Sequence, residues 1–461
     1  MAQAKKTFTL GRLFSQYGSL LVLLLLCAYY SWATWGEQHP SNASAGRKLG
    51  RQAVEYLQKS NLPLRAIVIV RKVEADAPFA DAATEAFEAG GGEVVARLAI
   101  EPKDVHTEAA ELEGSEAIPA IITHDACAKW GSMEYERLRA HGHLETVVVL
   151  KPKSYYWPSF LTWDNLLNIL SQDAEVAIIA IGMTMVIITA GIDLSVGSLV
   201  ALAGVLMAVM INGLGGQQVP LYIWGPCVLV AMLLCSGVGA MNGVLSTYGR
   251  IPAFIVTLAT MMMFQGLAQI IAVRFHTAVT GEAGVPEAIA ISAKGFHWLG
   301  GGSTFGIPNP IWLMACLYGV AHVFMTRTPM GRYIYAVGGN PEAAHLSGIP
   351  VKKVLILVYA LCGTMVAIAG FLNASRFSGG RPGAGEQWEL QVIAAVVVGG
   401  TSLSGGEGRI LGTLVGVLII TVIHNGLNMA NVQAYEQKVV FGALILAASF
   451  LDQVKKRWAV A

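Results

Sequence analysis

Residues able to do chemistry are sparse in the apolar part of this chain, and one of them is oddly placed. Asp193 is the single acidic residue between Glu175 and Glu282, and it stands in Gly191-Ile192-Asp193-Leu194-Ser195-Val196-Gly197-Ser198, inside the apolar run 182–212. That run is long enough to cross a bilayer, so a carboxylate, two hydroxyls and two glycines place irregular backbone and a charge where only protein or a water-filled cavity can cover them. Gly191, Asp193, Ser195, Gly197 and Ser198 are therefore candidates for a translocation path or for the helix break that shapes one. The other reading makes Asp193 a cap for a helix beginning at Leu194 or Ser195, accepting from its free N–H groups. Both stay open on the sequence. The apolar part holds no carboxylate pair, no His-Glu-x-x-His, no nucleophile beside a base and no metal-ligand spacing. Covalent catalysis, a bound metal and a resident cofactor are not expected.

Three further stretches carry polar groups in a pattern. In Gly338–Ile349, Asn340 can cap, Pro341 suits the first helical position, Glu342 favours the positive end of the dipole, Ala343 and Ala344 continue the helix, and Gly348 stops it after about two turns. Asn373, Arg376, Arg381, Gln387 and Glu389, with Trp388 as aromatic neighbour, gather around the expected end of a span at 354–374. They would suit a hydroxyl-rich ligand, a docking surface, or no more than a solvated loop, and His424 with Asn425 reads the same way. Gly399, Gly400, Gly405 and Gly406 fall in a glycine-rich stretch up to Arg409, read as a cytoplasmic turn joining two membrane segments.

The elements that must position these residues follow from composition. The chain is 54% hydrophobic and 13% charged, about half the charge of a soluble domain, with a mean hydropathy of +0.55. Of the 61 charged residues, 32 lie between 36 and 156, so one part is watery and the rest oily. A net charge of +1 gives no basic face for nucleic acid. Only Cys127 of six cysteines lies in the charged block, which excludes a disulfide framework there. Apolar spans are expected at 17–35, 174–191, 195–212, 221–247, 252–273, 311–326, 354–374, 390–401, 410–428 and 436–452, the segment 390–401 being short enough for a half-helix. A signal peptide shares the basic start of residues 1–16, but the first run is long and Ala33 sits between Trp32 and Trp35, an interfacial pattern. Lys5, Lys6 and Arg12 put the amino terminus in the cytoplasm. Ten crossings return the tail 453–461 to the same side, and 12 of the 17 basic residues outside the charged block fall there. The block 36–157 reads as α/β, with helices at 45–60 and 79–89 and strands at 65–71, 93–100, 118–123 and 146–150 in alternation, hence a mostly parallel sheet. The fold class is thus an all-α polytopic membrane protein of about ten transmembrane helices with a small extracytoplasmic α/β insertion and a membrane core at 158–452.

Three quoted stretches, GIDLSVGS at Gly191–Ser198, GRYIYAVGGNPEAAHLSG at Gly331–Gly348 and IAAVVVGGTSLSGGEGRIL at Ile393–Leu411, resemble the membrane (permease) subunit of bacterial ABC importers for ribose, xylose, galactose and similar sugars. The resemblance covers roughly Ser159–Leu451 and the first hydrophobic segment. It implies a bacterial cytoplasmic (inner) membrane location, a second permease copy in the same or a different chain, a separate ATPase subunit that binds ATP and Mg, and an extracytoplasmic sugar-binding protein. It also makes 340–348 the coupling helix that engages the ATPase. The block 36–157 resembles one lobe of a periplasmic sugar-binding protein and is read as platform, remnant or cap. Leu403–Glu407 matches the signature loop of ABC ATPases, yet no Gly-Lys followed by Ser or Thr exists to cradle phosphates, so ATP hydrolysis is not expected in this chain. The alternatives are an ion-coupled secondary sugar transporter, which usually shows more ionisable groups than Asp193, and a membrane-anchored sugar sensor, which would not require ten spans.

Overall fold

In the computed structural model the chain forms two compact units, Thr34–Ser159 and Met1–Ala33 with Phe160–Ala461. The structure describes residues 10–112, 116–133, 138, 144, 147–215 and 219–460.

Helix α1 (Leu10–Ala33) ends two residues before Trp35, the last residue of the expected span 17–35. Trp35 instead opens β1 (Trp35–Gln38), because these residues find an antiparallel partner late in the block. The unit then runs through α2 (Ala43–Lys59), β2 (Arg65–Arg71), α3 (Ala77–Ala89), β3 (Glu93–Ile100), α4 (Val105–Glu111), β4 (Ala120–Ile122), α5 (Asp125–Ala128), β5 (Val148–Leu150) and β6 (Tyr155–Pro158). Strands β3-β2-β4-β5 pair in that order, all parallel, while β6 pairs with β1. The run RAIVIVR is buried on both faces: Ala66, Val68 and Val70 pack with Leu57, Phe79 and Phe87, and Ile67 and Ile69 with Ile100, Ile121 and Val147. Period-2 alternation of a wholly apolar strand is the pattern of a sheet covered by helices on both sides.

The other unit is helical: α6 (Trp163–Gln172), α7 (Ala174–Ile188), α8 (Val196–Gly213), α9 (Leu221–Thr247), α10 (Ala253–Thr280), α11 (Asn309–Arg327), α12 (Pro329–Gly339), α13 (Pro341–Leu346), α14 (Val351–Arg376), α15 (Trp388–Val398), α16 (Ile410–Met429) and α17 (Ala434–Val460). Every residue of α7 is buried, so this helix, apolar all round, is the centre of the unit. Around it the helices approach closely through small residues: a Cβ on Gly239 of α9 would stand 2.2 Å from Tyr359 O of α14, and one on Gly363 of α14 would stand 2.3 Å from Cys235 O.

Among the described residues, six helices are long and apolar enough to cross a membrane, or seven if the pair α6 and α7, bent by 44°, is one span. That is fewer than the ten segments expected. Part of the difference is physical: the 11 residues of α15 reach only about 16 Å at ~1.5 Å per residue.

Candidate functional site

The site is built on the end of α7. Its last turn closes with Ala190 at φ 60°, whose N–H donates to Ile187 O at 2.9 Å, and with Gly191 N–H donating to Val186 O at 3.0 Å. This is the Schellman arrangement, with alanine where glycine is usual. The chain then passes through Ile192, Asp193 and Leu194 before α8 starts at Val196 with Ser195 in the cap position, two residues later than a cap at Asp193 would require. Asp193 Oδ1 accepts from Ser195 N–H at 2.9 Å and from Ser195 Oγ at 2.6 Å, a turn closed by its own side chain two residues on. Ser195 Oγ in turn accepts from Asn242 Nδ2 of α9 at 3.1 Å, and Ile192 O accepts from Thr257 Oγ1 of α10 at 3.3 Å. Ser198 Oγ donates to Ser195 O at 2.8 Å. Asp193, Ser195, Ser198 and Asn242 are all buried, and Asn242 Oδ1 has no hydrogen-bond partner among the described residues. Gly197 must be glycine: a Cβ there would meet Gly385 O at 2.2 Å and Glu389 Oε2 at 2.7 Å. The break is thus a buried polar knot held by three helices.

The polar residues near the end of α14 do not gather in one place. Arg376 Nη1 donates to Gln172 O at 3.0 Å, Nη2 donates to Ser171 O at 2.5 Å, and Nη1 lies 3.3 Å from Glu175 Oε2. One guanidinium therefore holds the carbonyl end of α6 and a carboxylate in the first turn of α7, across the 44° bend. Glu175 is buried and its Oε1 has no partner among the described residues. His424 Nδ1 lies 3.3 Å from Gln172 Nε2 and 3.8 Å from Asp173 Oδ2, and Asn425 Nδ2 donates to Asn165 Oδ1 at 2.8 Å. Glu389 faces Gly197 instead, Gln387 is exposed with φ 66° just before Trp388 opens α15, Asn373 is buried in α14, and Arg381 lies over the Phe377 ring at 4.8 Å. Glu175 and Asn242 escaped the sequence reading, although each is a polar residue in an otherwise apolar run.

At 340–348 the local chemistry closes a short, rigid helix. Asn340 Oδ1 accepts from both Glu342 N–H and Ala343 N–H at 3.0 Å, and Pro341 occupies the first turn. Gly348, at φ 83°, ends it: Gly348 N–H donates to His345 O at 2.9 Å and Ile349 N–H to Ala344 O at 3.0 Å. Ala344 packs inward while Glu342, Ala343, His345 and Leu346 are exposed, Leu346 at 83%. In the 399–409 turn Gly400, Gly405 and Gly406 have φ of 91°, 84° and 78°, and a Cβ on Gly399 would stand 2.5 Å from Gly412 O.

All of these residues fall within one family match, which spans residues 165–449 and is described as a branched-chain amino acid transport system / permease component. The chain belongs to this permease family. The permease is 43% identical to the ribose import permease protein RbsC of Escherichia coli (strain K12) over 299 residues, 65% of this chain and 88% of that one. It is 45% identical to the ribose import permease protein RbsC of Bacillus subtilis (strain 168) over 298 residues, 65% and 87% of the two chains. It is 36% identical to the xylose transport system permease protein XylH of Escherichia coli (strain K12) over 350 residues, again 65% and 87%. No solved structure matches. The α/β unit Thr34–Ser159 of the permease precedes the family match.

Proposed function

We propose that this permease is the membrane subunit of an ATP-driven importer for a monosaccharide or related polyol. The observation that carries the reading is its 43% identity to a ribose import permease across 88% of that protein. The chain lies in the bacterial inner membrane and works as a pair of permease copies over two ATPase subunits, which bind ATP and Mg. Ten crossings with both termini in the cytoplasm account for the basic residues flanking the helices. The second unit is an extracytoplasmic accessory domain, and a separate binding protein delivers the sugar. The break at Gly191–Ser198 borders the path, and α13, exposed and capped at both ends, is the knob on which the ATPase seats. Alternating access then needs no covalent step in this chain.

Purification from the native membrane in detergent, with identification of co-purifying chains, tests this reading. An ATPase chain with a complete phosphate loop is expected at one-to-one stoichiometry, and vesicles containing both should take up ribose or xylose only with ATP. Sugar movement down an ion gradient by the permease alone, with no ATPase present, would overturn it.

A further inference from the structure

Three segments far apart in sequence meet at one carbonyl. The C=O of Ile188, the last residue of α7, lies beyond the hydrogen bonds of its own helix, and Gly406 N–H donates to it at 2.8 Å. Gly338, next to last in α12, presses on the same group: a Cβ there would stand 1.8 Å from Ile188 O and 2.8 Å from Gly406 N. A Cβ on Gly405 would stand 2.8 Å from Gly338 O and 3.0 Å from both Ile188 O and Ala190 Cβ, and one on Gly406 would stand 3.0 Å from Gly339 Cα. Gly405 and Gly406 also hold positive φ, which side-chain-bearing residues rarely adopt. Tyr335 OH donates to Gly408 O at 2.8 Å, tying α12 to the same turn a second time.

Contacts between side chains can absorb a displacement by changing rotamer, whereas main chain already touching main chain has no such slack. The two ends of this junction are the two places of interest. Gly338 and Gly339 run directly into the Asn340 cap of α13, and Ile188 runs directly into the break that holds Asp193.

We infer that the Gly338–Ile188–Gly406 junction transmits the movement of α13 to the break beside α7. The inference rests on the proposed role of α13 as the ATPase seat. Displacement of that short helix by its partner moves Gly338, which cannot move without moving the Ile188 carbonyl and the 405–406 turn. The glycines are positioning residues: they touch no substrate, and they set where the 189–195 segment stands.

The test uses the assembled transporter in vesicles, with ATP hydrolysis and sugar uptake measured on the same preparation. Gly338→Ala should leave ATPase association and hydrolysis near the parent level while uptake falls about tenfold, so that more ATP is hydrolysed per sugar moved. A merely structural role would lower hydrolysis and uptake together and leave their ratio unchanged. Tyr335→Phe removes the second tie without adding an atom, and it should shift the same ratio by a smaller factor; it decides the matter if Gly338→Ala does not accumulate. An unchanged ratio in the folded variants would remove this inference alone. Absence of any ATPase on the unaltered protein would remove the proposed function and the inference with it.

Discussion

Asp193 Oδ1 accepts from both the N–H and the hydroxyl of Ser195, and the Cys362 thiol also donates to this carboxyl. Asparagine offers the same oxygen, so Asp193→Asn should keep uptake and the thermal midpoint in detergent close to the parent. Asp193→Leu orphans both Ser195 donors and the Cys362 thiol, at about 1–3 kcal/mol for each buried group, and should lower both; equal damage from Asn and Leu would show that the charge itself is needed. Arg376 poses a different test, because the guanidinium is partly exposed while its carboxylate partner Glu175 is buried and would be stranded by its removal. Arg376→Met should cost about 3 kcal/mol of unfolding free energy, and adding Glu175→Gln should recover most of it. If the double variant is no better than the single, Arg376 acts through the Ser171 and Gln172 carbonyls rather than through Glu175. In the α/β unit, burial pushes the Asp125 carboxyl up, but hydrogen bonds from Lys129 and Lys151 and the charge of His39 outweigh it and hold it down at about 2. A carboxyl lowered on folding stabilises the folded state above its unfolded value near 4, and that contribution is lost as pH falls toward 2. Asp125→Asn should therefore lower the thermal midpoint of the full chain at neutral pH, and the deficit should close between pH 4 and 2. Asp193 was visible in the sequence as a lone acid in an apolar run. The importance of Glu175 was not, because its partner Arg376 sits on a distant helix and spacing along the chain carries no distance in space.

At the scale of elements, α13 depends on its caps. Asn340→Ala removes the acceptor for two N–H groups, about 1 kcal/mol, and should fray a helix of six residues. Glu342→Arg sets a cation at the positive end and in the exposed face. Both should leave the permease in the membrane while reducing the ATPase recovered with it, and normal uptake by Glu342→Arg would refute the docking role. Strands β2 and β3 were legible to the residue, since an apolar run bounded by arginines and a glycine triplet leave little choice. Helices were legible as apolar stretches but not at their ends, where α10 runs seven residues past the expected 273. The bend between α6 and α7 and the pairing of β1 with β6 were illegible. Each depends on a partner supplied by tertiary structure, and a four-residue strand has no periodicity of its own to read.

For the whole molecule, the uneven charge along the chain already separated a watery part from an oily one, and the structure divides at Thr34 and Ser159. What composition left out is how the watery unit is closed at its base. Gln38 stands opposite Tyr155 at the inner end of the β1–β6 ladder, so an Asn-Gly turn in place of residues 39–154 would complete a hairpin. That deletion should leave membrane integration intact, as read by fractionation and by the thermal midpoint; loss of integration would show that the unit is needed to build the rest. The ladder's outer end carries the wider consequence. Ser159 N–H donates to Thr34 O at 3.0 Å, so the chain departs and comes back within one hydrogen bond. A gene broken between these two codons can receive, exchange or discard any module whose own termini lie side by side, with no linker to redesign and no helix register to shift. Everything between Thr34 and Ser159 is thus a cassette that can be exchanged as one piece.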